Sequence, residues 1–220
     1  INGAGQRNTP VGFQLPTTVT WTSATNGDYL NSHLWNGRIP STALSTAVFD
    51  KSGTYSINFG NTARAKGLEV AAGDLTFDLG NHLYAVETNV NIASGASLTA
   101  NGTVTAAGLL TNDGTYNTNV ATFTDSLNNN GVLNVNGSVG VTNTLSNQGI
   151  IENSGTISVN GLLDNSGTYN NHVLTNVGTL NNHGTLNVAG LVNVATSLTN
   201  RGMIEIYHGS QLKVANNLDL

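Results

Sequence analysis

Apolar residues return at every sixth position through the second half of this chain. Leu127, Leu133, Val139 and Leu145 make one run, Leu145, Ile151, Ile157 and Leu163 a second, and Leu180, Leu186, Val192, Leu198 and Ile204 a third. Around these positions polar and apolar residues alternate, as in Ile157-Ser158-Val159, Val192-Asn193-Val194 and Ile204-Glu205-Ile206. A period of two sends successive side chains to opposite faces of a strand. No long window carries the 3.6-residue period of an amphipathic helix, so short strands are predicted and no helix. A longer phrase, Leu-x-Asn-x-Gly, lies over this beat and opens at Leu110, Leu127, Leu145, Leu163, Leu180 and Leu198. Its glycines, Gly114, Gly131, Gly149, Gly167, Gly184 and Gly202, are 17, 18, 18, 17 and 18 residues apart. Three sixes make one coil of 18, and a fixed period of that length predicts a solenoid of stacked coils.

The expected fold is all-β: a single-stranded parallel β-helix with an N-terminal cap. Leu, Ile and Val should fill the interior and stack on their equivalents one coil away, about 4.8 Å along the axis. The asparagines of the phrase, Asn112, Asn129, Asn147, Asn165, Asn182 and Asn200, should form a ladder of side-chain amides. The six glycines should supply positive φ or a tight bend at the corner, where asparagine also tolerates the left-handed region. The two 17-residue copies, 110–126 and 163–179, should each lose one residue at a corner, and both place a tyrosine (Tyr116, Tyr169) where the other copies have an aliphatic core residue.

The texture divides the chain. Residues 1–60 hold both tryptophans and all three prolines and lack the repeat, which predicts an extended segment and a cap. The β-helix is expected over 61–220, with irregular coils at 61–109 and regular ones at 110–217.

Composition narrows the function classes. Charged residues are 9 % of the chain, the net charge is -5, and no Lys or Arg occurs between Gly67 and Asn200. Stacked like charges repel, which accounts for the scarcity within the repeats. Nucleic acid needs basic groups and is excluded as a partner. No apolar run reaches the length of a membrane span, so no membrane insertion is expected. The chain has no cysteine, and it opens on Ile1, which reads as a mature or trimmed chain.

The run Leu145-Ser-Asn-Gln-Gly-Ile-Ile-Glu-Asn-Ser-Gly-Thr-Ile-Ser-Val-Asn-Gly-Leu-Leu-Asp-Asn-Ser-Gly resembles the coils of bacterial secreted adhesins of the filamentous-haemagglutinin and autotransporter-passenger type. The resemblance covers about half of the chain and implies a right-handed β-helix on the cell exterior. The six-residue beat also suits left-handed helices of the hexapeptide type; the Asn-x-Gly style favours the right hand. A second stretch, with Trp21-Thr-Ser-Ala, Leu34-Trp35-Asn36-Gly37-Arg38-Ile39-Pro40 and Ala47-Val48-Phe49-Asp50, resembles the opening segment of large bacterial surface proteins and implies a cap ahead of the solenoid.

Catalytic chemistry finds little support. Glycoside hydrolysis needs carboxylates converging on one face, whereas Asp113, Asp125, Glu152 and Asp164 occupy copy positions 4, 16, 8 and 2 and should be separate solvated groups at turns. His172, His183 and His208 take positions 10, 4 and 11 and do not assemble a metal site. No cofactor and no enzymatic activity are expected. The threonine pairs do not repeat from coil to coil, which argues against an ice-binding ladder. Trp21 and Trp35, with Tyr29 and Tyr55, suit either a sugar-stacking platform or the core of the cap. The expected function is a non-catalytic extracellular structural protein, a rigid adhesin stalk or the subunit of a head-to-tail surface or matrix fibre. Its partners would be further copies or a longer parent chain, and a host or polysaccharide surface. Two open ends should present unpaired backbone groups, with residues 1–20 available as a donated strand. The alternative is a carbohydrate-binding or polysaccharide-cleaving β-helix.

Overall fold

The computed structural model describes residues 18–40 and 44–220. They form a β-solenoid of about 10 turns with about 18 residues per turn, and its strand ladders are parallel. One 3-10 turn, Ser32–Leu34, is the helical element among the described residues.

A single coil shows how the sequence writes the turn. Val132–Val135, Ser138–Val141 and Thr144–Asn147 are its three short strands. Leu133, Val135, Val139, Val141, Leu145 and Asn147 point inward, and the residues between them point outward. The next coil repeats this in register: Leu133 pairs with Ile151, Val139 with Ile157, Leu145 with Leu163 and Asn147 with Asn165. Each aliphatic side chain therefore sits on an equivalent one, and the six-residue beat is the projection of three faces onto the chain. A one-residue slip would turn the apolar set to solvent, which holds the register.

Both short coils lose their residue at the same corner, the one after the second strand. Between Ala106 and Leu109 there are two residues, while one coil later Asp125 alone joins Thr124 to Ser126. Likewise Asn160 and Gly161 face the lone Gly178, and Ala195 and Thr196 follow it one coil on. Tyr116 takes the core position held by Leu98 and Leu133, and Tyr169 that of Ile151 and Leu186. In the final coil the strand Gln211–Val214 pairs 20 residues back, on Leu191–Val194; a turn at Tyr207–Ser210 with Gly209 at φ 85° absorbs the added length.

The coils begin earlier than the change of texture suggests. Thr18–Thr20 pairs parallel with Thr46–Phe49, which pairs with Gly67–Val70. The described part of 1–60 is thus already stacked on the solenoid. Its interior is aromatic: Trp21, Tyr29, Trp35, Phe49, Phe59, Phe77 and Tyr84 form one buried cluster, mostly edge-to-face, with centroids 4.8–5.9 Å apart. Wide coils of irregular length need large side chains to fill them, and rings fill space at low conformational cost. Trp21 and Trp35 meet in an antiparallel bridge, which pairs the outer edge of Thr18–Thr20. Of the expected donated strand, Thr18–Thr20 belongs to the protein's own first coil; the rest of it, 1–17, lies outside the described residues.

Candidate functional site

The six phrase asparagines stand in one column inside the rod. Asn112 Nδ2 donates to Asn129 Oδ1 at 2.7 Å, and the pattern continues from Asn129 to Asn147 (2.8 Å), Asn147 to Asn165 (2.8 Å), Asn165 to Asn182 (2.7 Å) and Asn182 to Asn200 (2.8 Å). The second hydrogen of the Asn112, Asn129, Asn147, Asn165 and Asn182 amides goes to the carbonyl of the residue after the next coil's glycine: Val132, Ile150, Thr168, Thr185 and Met203. A buried amide satisfied in this way ties a corner to the corner above it. The column starts where Asn112 stacks on Ile92, which has no donor to offer, and Asn112 Oδ1 has no hydrogen-bond partner.

The corner glycines lie at bends, one of the two roles expected of them, but not with the positive φ of the other. None of the six has positive φ, and no asparagine among the described residues adopts the left-handed region. Instead the backbone is packed too closely for a side chain. A Cβ on Gly131, Gly149, Gly167, Gly184 or Gly202 would collide with the carbonyl oxygen of the glycine one coil below, and on Gly114 with those of Ala96 and Ala93. The same corner explains the phrase. The N–H groups of Gln148 and Gly149 both donate to Asn129 O (2.8 and 3.0 Å), and Asn130/Gly131, Ser166/Gly167, His183/Gly184 and Arg201/Gly202 repeat this on the preceding asparagine. Glycine is needed here for close approach, not for its dihedral freedom.

Of the four carboxylates singled out in the sequence, Asp113, Asp125 and Glu152 are not isolated. Asp78, Asp113, Asp125 and Glu152 each accept an asparagine amide from the following coil: Asn101 (2.9 Å), Asn130 (2.7 Å), Asn143 (2.7 Å) and Asn170 (2.6 Å). Asp78 and Glu152 stand at the feet of longer amide rows (Asn101–Asn119–Asn136 and Asn170–Asn187), Asp113 and Asp125 hold a single amide each, and Asp164 Oδ1 is buried without a hydrogen-bond partner; the five stand at different corners and faces, so they do not converge. His172 lies 3.4 Å from Glu152 with both groups largely exposed. His183 serves the corner through its backbone, and His208 is exposed on the turn before Gly209. No group of three His, Asp or Glu is placed to hold a metal ion among the described residues.

Sequence reasoning missed a second buried amide pair. Asn153 Nδ2 donates to Asn171 Oδ1 at 2.8 Å, and Thr175 donates to Asn171 and accepts from Asn153 and the Tyr169 hydroxyl. Copy position 9 reads Val135, Asn153, Asn171, Val188, and that column was its only signal. The equivalent cluster three coils earlier joins Tyr116, Thr122 and Thr118 at 2.6 and 3.0 Å. Burial pushes the Tyr116 phenol up to about 12, its threonine bonds opposing the shift, and burial likewise raises Tyr169, Tyr84 and Tyr29.

Trp21 and Trp35 are not a sugar platform. Both are buried in the aromatic cluster, and Trp35 Nε1 donates to Tyr29 O at 2.8 Å, so neither ring offers a face to solvent. At the other end the last coil is less covered: Ile204, Leu212 and Val214 are half-buried, and Ile206 and Leu218 are exposed. Among the described residues no helix is long and apolar enough to cross a membrane. No family model, no curated protein and no solved structure matches the chain.

Proposed function

We propose that this chain is a non-catalytic, extracellular structural protein: a rigid stalk of the adhesin type, or a unit of a surface or matrix fibre. The amide column carries the proposal. Five consecutive side-chain bonds from Asn112 to Asn200 run along the axis, flanked by an unbroken leucine stack from Leu110 to Leu198, and the polar groups of the repeat are mostly spent on one another. Such an arrangement supports stiffness and spacing, since bending the rod strains every ladder together. The bacterial, secreted setting rests on the resemblance of residues 145–167 to adhesin coils.

The last coil leaves Ile204 and Leu212 half-buried and Leu218 exposed, an apolar face that a further rung would cover. Negative-stain microscopy of the purified protein tests the reading. Straight rods about 48 Å long, ten rungs at about 4.8 Å, single or joined end to end, are the expected result. Round particles, or release of oligosaccharides from a polysaccharide panel, would overturn it.

A further inference from the structure

A groove runs along the corner that follows the second strand. Its two stretches have volumes of about 550 and 530 Å³ and share Ser158 and Asn160, so they adjoin along this corner from Glu87 to Lys213. The register explains it: the same two positions line the groove in every coil, the outward third residue of the second strand and the first residue of the corner.

One side chain there has no structural account. Phe123 is 49 % exposed, whereas Tyr116 and Tyr169, the rings of the two short coils, are fully buried and Tyr207 is exposed only on the turn of the final coil. It is paired with Thr105 on one side and Gly140 on the other. A Cβ on Gly140 would come within 2.7 Å of Phe123 Cδ1, so the missing side chain lets the ring lie over the next coil. An apolar ring held against the sheet with its outer face in water is a stacking surface. Beyond it the groove is lined by amides and hydroxyls: Thr142, Ser158, Asn160, Asn176 and Asn193. Asn193 donates to Asn176 Oδ1 at 2.9 Å, so these groups are spaced by the coil repeat.

We infer that this groove binds an extended, uncharged polysaccharide, with one sugar ring stacked on Phe123 and neighbouring hydroxyls on the amide row. The charge pattern selects the class. Asp125 lies beside Phe123 and already accepts from Asn143, Glu87 is at 4.0 Å from Arg64, and Lys213 at the far end is the groove's own cation. A polyuronate would meet Asp125 where it should stack, whereas a neutral glycan meets donors and acceptors. From Phe123 to Lys213 there are five coil steps, about 24 Å, room for a short run of sugar units along the axis. The inference is independent of whether the rod is a stalk or a fibre.

Isothermal titration of the full chain with the hexasaccharides of β-1,4-glucose, β-1,4-mannose and β-1,4-xylose, and with hexagalacturonate, tests it. At least one neutral hexamer should bind, and hexagalacturonate should bind at least tenfold more weakly. Phe123→Leu should lose tenfold or more in affinity and Phe123→Trp should keep it, with unchanged circular dichroism in both. Failure of all three neutral sugars, tighter binding of the galacturonate, or wild-type affinity in Phe123→Leu would each overturn the proposal.

Discussion

At the residue scale, the asparagines of the inner column are the most constrained side chains in the protein. Asn165 receives an amide from Asn147 and gives its own to Asn182 and to Thr185 O. Replacing it by leucine keeps the bulk and removes every partner, leaving an amide hydrogen of Asn147 and Asn182 Oδ1 buried and unmatched. Each such group costs on the order of 1–3 kcal/mol. Asn165→Leu should therefore lose roughly 3 kcal/mol in urea unfolding, and Asn200→Leu, at the less covered end, clearly less. Equal losses at the two sites would mean that the ladder bonds do not depend on burial. The asparagines and their alignment were legible in the sequence, because a residue repeated at the coil period must stack. The reason for the glycines was not: whether Gly149 serves a dihedral angle or a close contact depends on how the backbone of one corner sits over the carbonyl of the next, which the repeat alone does not specify.

At the scale of the coil, strands are rigid in length and corners are not. The two 17-residue coils drop a residue beside Asp125 and at Gly178, where the chain turns toward solvent and only loop length changes. An extra glycine inserted after Gly178 would restore the two-residue corner of its neighbours, Asn160-Gly161 and Ala195-Thr196. Its cost should stay below about 1 kcal/mol, since loop length enters only logarithmically. The same glycine between Leu180 and Asn181 would rotate Asn182 out of the column and expose the apolar positions beyond it. Thermal unfolding of the two insertions should separate them widely; similar midpoints would show that the corner carries more of the fold than its geometry implies. The expectation of a lost corner residue came from counting alone. That both losses fall at one corner, and so border the groove around Phe123, needed the strand register.

At the scale of the whole molecule, the buried tyrosines link stability to pH. Tyr116 ionises near 12 in the folded protein against about 10 in an unfolded chain, and Tyr29, Tyr84 and Tyr169 are raised in the same sense. A raised phenol favours the neutral form, so its contribution is complete below pH 10. It declines as the unfolded chain ionises between 10 and 12. Two pH units correspond to about 3 kcal/mol from Tyr116 alone. Stability should be insensitive to these groups up to pH 10 and fall steeply above it, with tyrosinate absorbance rising in step with unfolding. Tyr116→Phe should flatten that fall, and an unchanged alkaline slope would refute the assignment. Because the tyrosines sit from the first coils to the seventeen-residue ones, the transition tests the rod along most of its length.

The period of the chain by itself determined the architecture: short strands, three faces, 18 residues per coil, a column of amides and an interior kept free of charge. Those follow from local rules, since the alternation of a strand and the stacking of equivalent residues are properties of order along the chain. Only the tertiary structure decided that Trp21 and Trp35 face inward, that Asp78 and Glu152 are the feet of amide rows, and that Phe123 lies exposed over Gly140. Each of these depends on which surfaces meet across coils of unequal length, and the order of residues along the chain does not specify that.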